Sequence, residues 1–191
     1  VARAAAARAV VVTAAARAVV VTDPNLWMLH SCCSKSICKG CSHANQVRQS
    51  RENTQRVCPY CRHPLPGTDE EAKKIKMKRI ATDDPVAMRE IGFVHYDEGD
   101  YDVAFKYWTK AAKLGDADAH HDLCIMYRKG EGSVEKNEEK ALFHLEEAAI
   151  RGNAYARFNI GHVEESNGMI ERAVKHWIIA ANIGLDIAIK V

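Results

Sequence analysis

Three segments of this chain end alike. "KAAKLG" at 110–115, "EEAAIRG" at 146–152 and "IIAANIG" at 178–184 each carry an alanine-rich stretch into a glycine, at steps of 37 and 32 residues. Other positions keep the same steps: Ala87, Ala119, Ala156 and Ala188; Ile91, Leu123 and Ile160; Ala104, Ala141 and Ala173; Trp108, Leu145 and Trp177. A recurrence of this kind marks a helical repeat array, in which each unit leaves an apolar face for its neighbour to cover. The expected fold class is mainly α, an α-solenoid of stacked helical hairpins, with units at 84–115, 116–152 and 153–184 and a partial unit at 185–191.

Each unit holds two predicted helices. Asp84 is a natural N-cap with Pro85 at the first helical position, so a helix runs from there to about Glu98 and stops at Gly99. The next runs to about Leu114, where Gly115 suits a left-handed C-terminal residue. Later helices are expected at 117–129, 138–151, 154–167 and 169–183. The alanines at 104 and 111, 141 and 148, and 173 and 180 let helices approach closely, and Trp108, Leu145 and Trp177 fill the space beside them. Cys124 stands where the other units have Gly92 and Gly161, so it is expected to be a small buried thiol at a close helix contact.

Ahead of the repeats, the chemistry changes. Six of seven cysteines lie between Cys32 and Cys61, in "CCSKSICKGC" and "CPYC". Paired C-x2-C turns let two thiolates reach one ion, and clustering of this kind reads as zinc ligation rather than as a disulfide framework spread over its domain. Cys38 with Cys41 and Cys58 with Cys61 have the spacing of one four-sulfur site. The expected cofactor is zinc, and the expected compartment is reducing, cytoplasmic or nuclear. We place a small, incomplete zinc-binding module at 23–66. No run of 18 apolar residues lacks a charge, so no membrane span is expected. A net charge of +2 gives no global field that favours nucleic acid.

Residues 67–83 read as a linker whose short helix, about 70–79, is solvated, with acids first and the basic run "KKIKMKR" last. The first 22 residues repeat "AAARAVVVT" twice; this is low complexity and faintly like a transit peptide, but better read as repetitive coding sequence that does not fold. Beginning at Val and ending two turns into a fourth unit, the sequence reads as a fragment of a longer chain.

Two resemblances sharpen these readings. "AHHDLCIMYRKGEGSVEKNEEKALFHLEEAAIRG" is similar to the Sel-one-like family, short relatives of the tetratricopeptide repeat, with Cys124 for the usual Gly, Ser133 inserted before Val134 and Asn137 for Asp. The resemblance covers about 105 residues and implies protein–protein scaffolding, with a partner on the concave face. "CSKSICKGC" at 33–41 and "CPYCR" at 58–62 resemble the core and close of a RING finger, with Lys35 where His is usual. That pattern would seat Cys33, Cys58 and Cys61 on one zinc, with Cys32 or a nearby His replacing the imidazole. Cys38 and Cys41 would sit on a second zinc, whose upstream C-x2-C pair is missing. His30, His43 and His63 remain as spare ligands. An N-terminal part deprived of half its ligands is expected to be poorly ordered.

By the same resemblance, Pro59 would pack against a ubiquitin-conjugating enzyme and Arg62 would clamp enzyme and ubiquitin, a task suited to a planar guanidinium. The expected function is a zinc-binding adaptor whose repeats hold a protein partner; the alternative is a RING-type ubiquitin ligase. No phosphate-binding glycine loop, H-E-x-x-H or G-x-S-x-G occurs, which leaves no other enzymatic motif. His144 and His176 share one repeat position, and His120 and His121 are adjacent on one helix. Neither pair is placed to share a metal, and packing or exposure is expected for all four.

Overall fold

The computed structural model describes residues 27–29, 32–33 and 35–185. The low-complexity segment 1–22, His30 and the partial unit beyond Leu185 lie outside the described residues. Two short antiparallel strands, β1 (Trp27–Leu29) and β2 (Ser36–Cys38), pair with Met28 opposite Ile37 and lead into helix α1 (Lys39–Arg51). After a turn-rich segment come α2 (Asp69–Ile80) and three helical hairpins: α3 (Pro85–Asp97) with α4 (Tyr101–Lys113), α5 (Ala117–Lys129) with α6 (Glu138–Ile150), and α7 (Ala154–Ser166) with α8 (Ile170–Ile183).

The first helix of each hairpin starts on a side-chain cap. Asp84 accepts from the N–H groups of Val86 and Ala87 at 3.1 Å, Asp116 from Ala119 at 2.7 Å and Asn153 from Ala156 at 2.7 Å. Each such cap contributes about 1 kcal/mol. Asn153 is itself buried and also donates to Asp118 at 2.7 Å, which ties the third unit to the start of the second. Gly115 and Gly184 take φ of 94° and 109° and end their helices left-handed, a conformation that a side chain would oppose.

The cores run through the hairpins and across the junctions between them. Met88 of α3, Ala104, Trp108 and Ala111 of α4, and Leu123 and Met126 of α5 form one buried cluster. Cys124, Ala141, Leu145, Ala148, Ala156 and Ile160 continue it from the second hairpin into the third. No unit closes its own apolar face, as the repeat pattern requires. Within a hairpin the Trp and Gly positions are matched: a Cβ on Gly92 would lie 2.6 Å from the indole of Trp108, and one on Gly161 would be closer still to Trp177. The second hairpin replaces both partners at once, with Cys124 facing Leu145. Cys124 is 2% exposed, as expected from its register, and burial pushes its thiol up.

Two features depart from the sequence reading. Helix α2 is not simply solvated: Ile80 packs on the first core, Lys76 pairs with Glu90 at 3.0 Å, and Arg79 pairs with Asp84. The other is the longer turn of the second unit, which is fastened down. Ser133, the extra residue in the Sel-one-like pattern, donates both its N–H and its hydroxyl to Asp102 at 2.8 Å, and this holds the Asp102 carboxyl below its usual range. Val134 is thereby delivered into the core, 8% exposed.

Candidate metal centre

The turn that carries Cys58 is built by α1. Gln49, 3% exposed in a mostly polar helix, uses both ends of its amide on Val57: its Nε2 donates to the carbonyl at 3.2 Å, and its Oε1 accepts from the N–H at 3.3 Å. Asn45 donates to the same carbonyl. From this anchor the chain folds back on itself. Cys58 donates to the His63 carbonyl at 2.8 Å, Arg62 donates to the Cys58 carbonyl at 3.0 Å, and Leu65 donates to that of Arg56 at 2.9 Å. The tight reversal puts Arg62 at φ 61°, left-handed and exposed, and aims Cys58 and Cys61 back toward Cys32 and Cys33.

The sulfurs of Cys32, Cys33, Cys58 and Cys61 all lie within 4.8 Å of one another. Cys33 and Cys58 are 3.7 Å apart, and Cys61 and Cys32 are 3.4 Å apart. Four sulfurs about 2.3 Å from a tetrahedral zinc would be separated by about 3.8 Å, whereas a disulfide needs about 2.05 Å. The donor set therefore fits a zinc-sized ion. Electrostatics agree with a site that wants a cation. Burial, then the sulfurs of Cys61 and Cys58, push the Cys32 thiol far above its usual range, and burial raises Cys33 as well. Burial would also raise Cys58, but the backbone N–H groups of Cys61 and Tyr60 donate to it and its net shift is downward. The Cys58 thiolate is stabilised by the turn, whereas Cys32 and Cys33 resist ionising until positive charge arrives.

Of the residues singled out in the sequence, Cys33, Cys58 and Cys61 come together, and Cys32 completes the four. Cys41 is exposed in the first turn of α1 and is not one of them, and Cys38 lies on β2. His43, exposed on α1, and His63, whose carbonyl serves the turn, do not join the group. Pro59 is half-buried inside the turn. A second set, His95, Glu98 and Asp100, falls within the same distance limit at the α3–α4 turn, where His95 lies 3.5 Å from Asp100 as in an ordinary surface ion pair.

The solenoid contains a polar pair that register alone does not reveal. His144 meets His120, not His176, with their Nδ1 atoms 3.0 Å apart, and the ring of Tyr127 stacks on His144. One imidazole donates and the other accepts, so the two rings cannot both be protonated in this contact. Burial, with the neighbouring His120, pushes His144 down to about 4, and burial with Arg151 nearby lowers His120. A folded-state value below the unfolded one means that protons bind preferentially to the unfolded chain as the medium turns acid. The His120–His144 pair therefore withdraws stability from the second unit as pH falls from about 6.5 toward about 4, a loss opposed by Asp122, whose burial raises its carboxyl to about 7. Counting solvent screening at the half-exposed His144, the loss should be about 1–2 kcal/mol. Denaturant unfolding at pH 7 and 4.5 checks this as a difference: the stability of His144→Phe relative to the unsubstituted chain should rise by that amount at the lower pH, with Asp122 common to both.

The junction between the second and third hairpins is less well filled than the first. Tyr101, Phe105, Trp108 and Met126 pack the first junction; 37 residues later stand Glu138, Leu142, Leu145 and Val163. The smaller and charged replacements leave a cleft of about 460 Å³ lined by Cys124, Leu142, Leu145, His162 and Val163, with Arg128 at its rim.

Stacked hairpins with these cores define a helical-repeat scaffold, and comparison with known proteins specifies the repeat. Residues 85–116 and 117–153 match the family model of the Sel1 repeat, so these two units are Sel1 repeats. "Chitin synthase regulatory factor 4" of Schizosaccharomyces pombe is 32% identical over 84 residues, 44% of this chain and 13% of that protein. The Sel1 repeat protein of Oxalobacter formigenes superposes with a TM-score of 0.54 at 28% identity, over 63% of this chain and 52% of its own. The uropathogenic Escherichia coli protein c5321, described as a protective antigen displaying an SLR fold, gives a TM-score of 0.55 at 19% identity, over 78% of this chain and 31% of its own, a likeness of fold alone. The chain thus spans between an eighth and about half of the length of these relatives.

Proposed function

We propose that this chain is an adaptor in which a zinc-stabilised module precedes a repeat scaffold that holds a protein partner, with Cys32, Cys33, Cys58 and Cys61 holding the ion. Zinc bound there would act structurally, supplying positive charge that four thiolates share and closing a module too small to bury a sufficient core. The reading of the scaffold is carried by the cleft between the second and third hairpins, where apolar side chains that other junctions use internally stay open. Leu142 and Val163, 41% and 38% exposed, would be the floor on which a partner's apolar side chain rests. A regulatory role for the fission-yeast relative, as its name states, is in keeping with an adaptor.

The test fills the cleft with what the other hairpins contain. The double variant Cys124→Gly/Leu145→Trp installs the Gly–Trp pair of the flanking units and should preserve the fold. A photo-crosslinker at Leu142 should capture a partner in the wild-type background and lose it in the double variant. Equal capture in both would overturn the assignment of the cleft.

A second reading, the ubiquitin ligase, is favoured by one observation: Arg62 follows the last cysteine in a fixed left-handed turn with its guanidinium exposed. A ligase should modify itself with at least one conjugating enzyme of a panel, and Arg62→Ala and Cys58→Ser should each suppress the product at least tenfold. No product, or product indifferent to both changes, removes this reading.

A further inference from the structure

The near-neutral total of the chain hides a division. Residues 35–79 carry eleven basic side chains and four acidic ones, whereas residues 83–185 carry twelve basic and nineteen acidic ones. The formal charges of the two parts are therefore +7 and −7. The solenoid uses part of its positive charge in ion pairs such as Arg89–Asp116 and Arg151–Glu147, and its acidic excess surrounds the rest. The region ahead of it has no such acidic excess. Lys39 and Arg51 on α1, Arg56 beside the cysteine turn, and Lys73, Lys74 and Lys78 on α2 are all exposed, and none forms an ion pair among the described residues. Helix α2 shows the sorting within one element. Its Lys76 and Arg79 turn to Glu90 and Asp84 of the solenoid, and the remaining three lysines are exposed, with Lys74 and Lys78 on the opposite face, one turn and about 6 Å apart along the axis.

We propose that these basic side chains, on the cysteine module and on α2, bind the phosphate backbone of nucleic acid without reading its sequence. Unpaired, spread-out cations meet the dense line of charge that a polynucleotide offers and gain by releasing its counterions. A lipid surface fits less well, because an interfacial helix needs an apolar face; among the described residues of this region the large exposed apolar side chains are Tyr60 and Met77. Tyr60, in the turn just before Arg62, instead offers a ring on which a base can stack.

The experiment is fluorescence anisotropy of the full chain, as purified, with a labelled 20-nucleotide single strand and a 20-base-pair duplex, between 50 and 200 mM salt. Binding should weaken steeply with salt, with a log–log slope of about −3 to −5. Lys73→Gln/Lys74→Gln/Lys78→Gln should weaken it about tenfold or more and reduce the slope by about 2–3. Lys106→Gln/Lys110→Gln/Lys113→Gln, which removes as many exposed charges from α4, should leave binding unchanged. The proposal is overturned by any of four results: no oligonucleotide binding at 50 mM salt, equal weakening by the two triple variants, binding to phosphatidylserine vesicles but not to oligonucleotides, or self-association that the α2 variant abolishes while oligonucleotides are ignored. None of these outcomes depends on partner capture at the Leu142 cleft.

Discussion

Stripping metal from the purified chain with a strong chelator should melt the region from Ser36 to Leu65 while α3 to α8 stay folded. In amide hydrogen exchange, protection should disappear from α1 and from the reversal around Cys58, Arg62 and Leu65, and it should persist in the buried registers of Trp108 and Leu123. The asymmetry follows from what each part has to hold it together. Among the described residues the module's buried side chains are Ile37, Ser42, Gln49 and Cys58, and its two strands are three residues each. Structural zinc in peptides of this kind contributes on the order of 10–16 kcal/mol, more than the whole stability of many domains. The solenoid draws instead on continuous apolar junctions that no metal touches. Cys58→Ser should reproduce the effect, because Cys58 is fully buried and its sulfur is the one the turn's own N–H groups address. Unchanged exchange after chelation, or collapse of both parts together, would contradict this division of labour.

Gly92→Ala should destabilise the first hairpin by about 3 kcal/mol, and adding Trp108→Leu should recover part of the loss. The single change places a methyl group 2.6 Å from the indole, in a contact that neither helix can relax without parting from the α4–α5 junction. Overpacking of this kind costs typically 1–3 kcal/mol, and the rigid ring and its hydrogen bond to the Arg89 carbonyl at 3.1 Å put this site at the upper end. Trp108→Leu alone opens a cavity and should itself cost about 3 kcal/mol. Together the two move the hairpin toward the Cys124–Leu145 arrangement that the second unit uses. A double-mutant cycle by denaturant unfolding should therefore show a favourable coupling of at least 1 kcal/mol. Strict additivity would mean that the Gly–Trp contact is incidental, and the volume exchange between units would lose its explanation.

The solenoid was legible because its signals are local and repeated. Asp84–Pro85, Gly115 and the alanine pairs specify ends and close faces by their own conformational chemistry, and the six helices of the hairpins fall within one or two residues of the predicted spans. Pairings across space were less legible. His144 and His176 drew attention as register equivalents, yet the actual contact, His120 with His144, joins the two helices of one hairpin and depends on their rotation. The burial of Ile80 and the pinning of Ser133 by Asp102 likewise arise only when α2 and the long turn are laid against their neighbours. In the module, C-x2-C spacing pointed to Cys58 and Cys61, but no spacing rule reports that the adjacent Cys32 and Cys33 both face them. The amide of Gln49 grasping Val57, which anchors the turn of Cys58 to α1, is likewise a tertiary bond with no periodic signature.

X-ray absorption at the zinc edge of the purified chain, with Cys41→Ser as the background to simplify the shell, reads the proposed centre most directly. The account predicts four sulfur neighbours at about 2.3 Å, reduced to three by Cys32→Ser. A chain that carries no zinc, or one whose sulfurs lie about 2.05 Å from one another as disulfides, would contradict it.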